Sequence, residues 1–267
     1  MYEDAAGIRF ELDGAILRVT LDSAGRRNAV RDDDLRAFSA ALTAANSDER
    51  VRAILIAGAN GDFCSGFDVV DRNSGGGERP RVGAIARRLP ALAHGLIPQL
   101  VSVQVPVVTA VHGYAVGLGL QLIACSDFVV VSEDAVLWEP FAQRGMSSDA
   151  GASWLLPRIV GPVRARELLL LGRRLSGVEA VEWGLAYASL PDSDVDAEAD
   201  RLAAELASGP TVALGLMKKL VNESHERGLV DHLAQEAYGM ELSSRSPDFR
   251  EGLTAFIQKR DPDFTGK

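Results

Sequence analysis

Cysteine is scarce: Cys64 and Cys125 are the only two in a chain of 267 residues, too few for a disulfide framework or a cysteine-rich metal centre. A reducing, cytoplasmic setting is expected. Positive charge is also in short supply, with 28 Lys and Arg against 37 Asp and Glu and a formal net charge of -9. No long basic run offsets that deficit, so no nucleic-acid partner is expected, and an anionic ligand would need individually placed arginines. No apolar run reaches the ~20 residues of a membrane span, and the first residues lack the basic-then-apolar order of a targeting segment. What is present is an ordinary globular composition, 47% hydrophobic and 24% charged, in a chain long enough for a sizeable core.

Ile8 to Leu12 and Ile16 to Leu21 read as strands joined at Asp13-Gly14, a dipeptide that favours a tight hairpin. Asp32 to Asp34 can cap a helix with Leu35, Phe38, Leu42 and Ala45 on one face. Val51 to Ala57, Val107 to Val111 and Phe128 to Val131 are short apolar runs of the kind that form buried strands. A long helix is expected through Leu89 to Val103. Asn73 to Arg81, rich in Gly, Ser and charge, reads as a mobile surface loop. Beyond residue 160 the pattern is almost wholly helical, over Val163 to Leu171, Gly177 to Trp183, Asp196 to Ser208, Thr211 to Glu226, Val230 to Leu242 and Pro247 to Lys259. Strands first and helices last predict a core over 1–205 followed by a helical region over 206–267.

Two stretches stand apart because each leaves a buried strand through glycine. One is Phe63-Cys64-Ser65-Gly66-Phe67-Asp68; the other runs His112-Gly113-Tyr114-Ala115-Val116-Gly117-Leu118-Gly119-Leu120-Gln121 into a helix. Glycine at such a corner lets a ligand approach the backbone, and a helix start leaves N–H groups unpaired. Two such loops can each aim an N–H at one point, the geometry that holds a developing oxyanion. Small residues packing a helix closely against a strand would read the same way from either stretch alone. The glycines match neither the dinucleotide fingerprint nor a P-loop. His94, His112, His225 and His232 show no metal-ligand spacing and read as surface or packing residues, so no metal site is expected.

The two loops together, about fifty residues apart, resemble those of the enoyl-CoA hydratase/isomerase (crotonase) superfamily. The resemblance runs from Arg27-Asn28-Ala29 through Pro157-Arg158-Ile159-Val160-Gly161 and Ala180-Val181-Glu182-Trp183-Gly184-Leu185 to Arg250-Glu251-Gly252 and Lys259-Arg260. It implies a crotonase-like α/β spiral of ββα units with a C-terminal helical region that assembles as a homotrimer or a dimer of trimers. It also implies a coenzyme A thioester as substrate, with no separate cofactor. The N–H groups of Phe67 and Leu118 then occupy the oxyanion positions, beside Gly117. The adenine would lie near Ser65 and Asp68, with Arg27 near the phosphates. Phe256 and Lys259 on the last helix would approach the coenzyme A of a neighbour.

Hydratases of this superfamily use two glutamates, and the matching positions here hold Gln121 and Phe141. An amide does not exchange protons at neutral pH and a phenyl ring cannot, so efficient two-glutamate hydration is not expected. Asp149 matches the one-aspartate position of isomerase members, and the chain resembles those of the ring 1,2-epoxyphenylacetyl-CoA isomerase type in Trp154-Leu155-Leu156-Pro157-Arg158. A cap for the following helix is the plainer reading of Asp149. The favoured reading is a proton shuttle among Phe141, Met146 and Trp154. The expectation is an acyl-CoA isomerase; a low-efficiency hydratase and a non-catalytic acyl-CoA binding protein are the alternatives.

Overall fold

The computed structural model describes residues 2–68 and 81–267, so nearly all of the predicted loop over 73–81 lies outside the described residues. The hairpin forms as expected: β1 (Ile8–Asp13) pairs antiparallel with β2 (Ile16–Leu21) around Gly14, whose φ of 57° is the left-handed conformation that glycine adopts without strain. Helix α1 (Asp32–Ala45) follows, then β3 (Ala53–Gly58), the short α2 (Ala84–Arg88), α3 (Ala93–Ser102), β4 (Val107–Val111), β5 (Tyr114–Val116) and α4 (Leu118–Ala124). After β6 (Phe128–Ser132) and β7 (Val136–Trp138) come α5 (Ala152–Ile159), α6 (Gly161–Leu170), β8 (Arg174–Ser176), α7 (Gly177–Glu182), β9 (Ala188–Leu190) and α8 (Val195–Ser208). The chain ends in α9 (Thr211–Glu223), α10 (Leu229–Ser243) and α11 (Pro247–Gln258).

The main sheet has the order β1-β2-β3-β4-β6-β9 and is parallel except for its first hairpin. Parallel strands are covered on both faces, which is why β4 reads Val-Val-Thr-Ala-Val with every residue buried. The two-residue period then divides them. Ile54, Ile56, Val107, Val111, Val129 and Val131 join the large core, whereas Leu55, Val108, Ala110 and Val130 pack against Val195, Ala199, Leu202 and Ala203 of α8. The boundary expected at 205/206 falls inside that helix. A second sheet, β5-β7-β8, is made of three-residue strands.

Two expectations change in detail. The helix predicted from Leu89 to Val103 is broken: α2 and a 3-10 turn over Leu89–Ala91 precede α3. Pro90 explains part of it, since proline fits the start of a helical turn better than its interior. In α1 the cap position is Arg31, and Asp34 reaches back to accept from Arg31 N at 2.8 Å and Gly7 N at 2.9 Å.

Candidate functional site

Strands β3 and β4 are parallel neighbours, so the loops that leave their C-terminal ends emerge side by side, the position where open α/β sheets bind ligands. Those loops are the two glycine corners. They run together as a short parallel pair: Phe63 N donates to His112 O, Cys64 N to Tyr114 O and Val116 N to Cys64 O, all at 2.8–2.9 Å. Gly66 needs its positive φ of 96°, and a Cβ there would stand 2.8 Å from Val116 O and 3.7 Å from Leu118 N. The absence of a side chain thus brings the Gly66-Phe67 peptide against the start of α4.

The amides at this junction follow from the backbone pattern. Val30 N donates to Gly66 O and Asp68 N to Val30 O, so the Phe67 amide between them points away from that bridge. Leu118 opens α4, and the carbonyl of Gly117 first engages the amides of Leu120 at 2.8 Å and Gln121 at 3.1 Å. The Leu118 N–H therefore precedes the helix's own acceptors. Gly117, with φ 54° and ψ -120°, is anchored through its N–H to Trp138 O at 2.9 Å, which ties this corner to the end of β7.

A cavity of about 670 Å³ opens at the junction. Its wall includes Ser65, Gly66, Phe67, Gly117, Leu118 and Gln121, and across from them Phe141 and Asp149. Seven of the residues expected at the site converge here, and Gly66 joins them from the loop that carries Phe67. Arg27, Asp68, Phe256 and Lys259 lie off the wall. Arg27 stacks 4.5 Å above the Tyr114 ring and stands 3.7 Å from Asp62. Asp68 is buried and pairs with Arg26 at 2.9 Å and Arg31 at 3.5 Å. Ser65 links this basic loop to the cavity, its hydroxyl donating to Arg26 O at 2.8 Å and its amide to Arg27 O at 2.8 Å. On α11, Phe256 is exposed and Lys259 forms the left-handed C-cap.

Asp149 is not the cap of α5; that position is Gly151, without a side-chain hydrogen bond. Ala150 and Gly151 both have positive φ, 48° and 80°, and the buried Ala150 holds this strained turn directly after the carboxylate. Asp149 Oδ1 accepts from Ala150 N at 2.6 Å and lies 2.5 Å from His94 Nε2. Oδ2 engages none of the described residues. Met146, Ser147, Ser148 and Arg144 complete that side of the wall.

Behind the wall sits a second carboxyl. Glu139 is fully buried, and Gln121 Nε2 donates to both its oxygens, at 2.9 and 3.2 Å. Burial pushes the Glu139 carboxyl well above the usual carboxylate range, and the Gln121 hydrogen bonds pull only partly the other way. Gln121 Oε1 is buried with no partner among the described residues. Burial likewise pushes the thiols of Cys64 and Cys125 up to about 12, so both behave as core. Among the described residues no cluster of His, Cys, Asp and Glu is arranged to hold a metal ion, and no helix is long and apolar enough to cross a membrane.

Sequence reasoning assigned no role to Glu139 and read His94 as surface or packing. Glu139 lies in the run Trp138-Glu139-Pro140-Phe141, and a lone carboxylate flanked by large apolar residues and proline is the available signal. Nothing in the sequence pairs His94 with a residue that lies 55 positions further on.

Comparison with known proteins places these features in context. The model of the enoyl-CoA hydratase/isomerase family matches residues 11–267. The 1,2-epoxyphenylacetyl-CoA isomerase of Escherichia coli K12 is 35% identical over 257 residues, covering 96% of this chain and 97% of that protein. A Rhodobacter capsulatus protein bearing the name "Probable enoyl-CoA hydratase" is 34% identical over 260 residues, covering 97% and 98%. The crystal structure of an enoyl-CoA hydratase from Polaromonas sp. JS666 superposes with a TM-score of 0.89 at 31% identity, covering 96% of this chain and 99% of that one.

Proposed function

This chain belongs to the enoyl-CoA hydratase/isomerase family, whose members act on acyl-CoA thioesters, and on that footing we propose that it is an isomerase of the acyl group. The observation that carries the reading is the division of ionisable groups around the cavity. Gln121 and Phe141 stand where hydratases of the family carry glutamates, and Asp149 offers a carboxylate oxygen with no protein partner among the described residues. One base suits a reaction that removes a proton from one carbon and returns one to another.

In this reading the thioester oxygen sits between the N–H groups of Phe67 and Leu118. Asp149 takes a proton from C2, and the C–H electron pair moves into the enolate that the two amides stabilise. The electrons either return to C4, where a proton is delivered and the double bond has shifted, or form a double bond from C2 to the ring carbon as its strained epoxide C–O bond breaks, the C–O pair going to the oxygen, which takes up a proton. The similarity to the E. coli isomerase supports the second substrate type. The similarity to the R. capsulatus protein supports the rival, a slow hydratase in which Asp149 activates a water. Measuring isomerisation of 3-hexenoyl-CoA and hydration of crotonyl-CoA on one preparation separates them. The proposal expects the first to exceed the second by at least about tenfold; the reverse ratio contradicts it, and conversion of neither in a broad thioester panel favours a binding protein.

The same reading has Ser65, Asp68 and Arg27 hold the adenine and phosphates, and requires no cofactor beyond the coenzyme A of the substrate. The core over 1–205 carries this site, and the region over 206–267 presents exposed apolar side chains, among them Tyr238, Phe249, Leu253, Phe256 and Ile257. A second copy of the chain would cover them in a trimer or a dimer of trimers, bringing Phe256 and Lys259 towards a neighbour's coenzyme A. A cytoplasmic location fits the two buried free thiols.

A further inference from the structure

The His94–Asp149 pair is built from two separate elements, the first turn of α3 and the turn before α5, and both side chains lie on the cavity wall. Their division of contacts is specific. Asp149 Oδ1 receives the Ala150 amide and the His94 ring, whereas Oδ2 is left for a substrate. The imidazole side chain is 43% exposed, so one edge touches the carboxylate while the ring also meets solvent. The other polar groups on this side of the wall are Arg144, Ser147, Ser148 and Ser153. Imidazole is the one side chain there with two ring nitrogens, one able to accept a proton while the other releases one.

We infer that His94 is a positioning residue that relays protons between Asp149 and solvent, so that the proton returned to the substrate comes from water rather than from the carbon that lost one. The inference rests on the isomerase reading. Its steps balance without any further reactant. The C2–H bond breaks, its electrons form the enolate, and Asp149 becomes a carboxylic acid. With the ring in its Nδ1–H tautomer, Asp149 passes that proton to Nε2 and Nδ1 releases one to water. Asp149 is then ionised and the ring carries Nε2–H, which lies 2.5 Å from Oδ1 and can donate to it. The reverse sequence brings a solvent proton to Asp149 and on to C4, where the C–H bond forms. If His94 served only to anchor the loop, Asp149 would carry the same proton from C2 to C4.

Deuterium distinguishes these. With 3-hexenoyl-CoA turned over in D2O and the product analysed at early conversion by mass spectrometry and NMR, the wild-type protein is expected to place close to one deuteron at C4 per turnover. His94→Gln keeps a group able to hydrogen-bond to Oδ1 but cannot pass a proton, and is expected to lower C4 deuteration per turnover by about tenfold. In His94→Ala the same loss is expected, and added imidazole is expected to restore deuteration. Wild-type levels of C4 deuterium in either variant without imidazole would overturn the relay and leave the isomerase reading intact. A wild-type protein that does not convert 3-hexenoyl-CoA or a ring epoxide, or an Asp149→Asn protein as fast as wild type, would overturn the isomerase reading and the relay together.

Discussion

Glu139 shows how far a buried site can carry a residue from its solution chemistry. Its carboxyl is raised because burial disfavours the charged form and the Gln121 amide offsets only part of that. A carboxyl whose folded pKa is raised contributes its stability below the unfolded value, near 4.5, and loses it as pH rises through the folded value. Glu139→Gln keeps the shape and never ionises. Its stability relative to wild type, measured by urea unfolding, is expected to rise between pH 5 and pH 8. An unchanged difference at the two pH values would mean that Glu139 is not held in this way. The same geometry explains why a second carboxyl at position 121 is disfavoured, because it would stand about 3 Å from Glu139 and one of the two would have to remain protonated.

At the scale of elements, the site depends on two loops meeting at a single peptide. Gly66→Ala would force an unfavourable φ and drive a Cβ towards Val116 O. The expected result is a loss of about 1–3 kcal/mol of stability and a fall in kcat of at least about tenfold as the Phe67 amide is displaced from Leu118. Full activity in that variant would show that the two amides do not act together. The glycine corners were legible in the sequence because strand, glycine and helix start each leave a local signature. The apolar runs gave β4 to the residue, and helical periodicity placed α6 to α11 within a few residues. The strands β5, β7, β8 and β9 went unread: each has three residues, too few for a two-residue period to stand out. Asp149 was legible as a lone carboxylate at a helix start. His94 and Glu139 were not, because their roles come from contacts between elements, and periodicity reports only which face of one element is apolar.

At the scale of the whole molecule, a few polar ties hold the last helices to the sheet. Lys218 of α9 is nearly buried, 2.7 Å from Asp127 and 3.1 Å from Val105 O. Burial lowers the Lys218 ammonium from its usual range, and Asp127 counters part of that. Arg52 donates to Gly209 O and Phe264 O at 2.8 and 2.9 Å, and Asp248 accepts from Thr265 N and Gly266 N, each at 2.8 Å. At the other end, His112 joins the loop after β4 to the turn before α8 through Asp192 at 2.7 Å and to α8 itself through Asp196 at 3.0 Å. Burial alone would lower its pKa, but the two carboxylates outweigh burial and raise it. Its contribution is therefore complete below the unfolded value of about 6.5 and is lost as pH rises through the higher folded value. Asp192, held down chiefly by the His112 hydrogen bond, loses its share only as pH falls below the usual carboxylate range. His112→Gln is expected to flatten the decline in thermal stability between pH 6 and pH 9; an identical decline would remove His112 from the account. If the proposed trimer or dimer of trimers covers the exposed apolar side chains of α10 and α11, light scattering is expected to give three or six copies of 28.5 kDa, and a monomer mass would contradict that proposal.

The central claim is that one carboxylate performs the proton chemistry while backbone amides hold the thioester. Its most direct test is the kinetics of Asp149→Asn on 3-hexenoyl-CoA and a ring-epoxide thioester, alongside the dissociation constant for a saturated acyl-CoA. The account predicts a fall in kcat of about 10²–10⁴ with acyl-CoA affinity changed by no more than a few fold. Turnover at the wild-type rate by Asp149→Asn would contradict it.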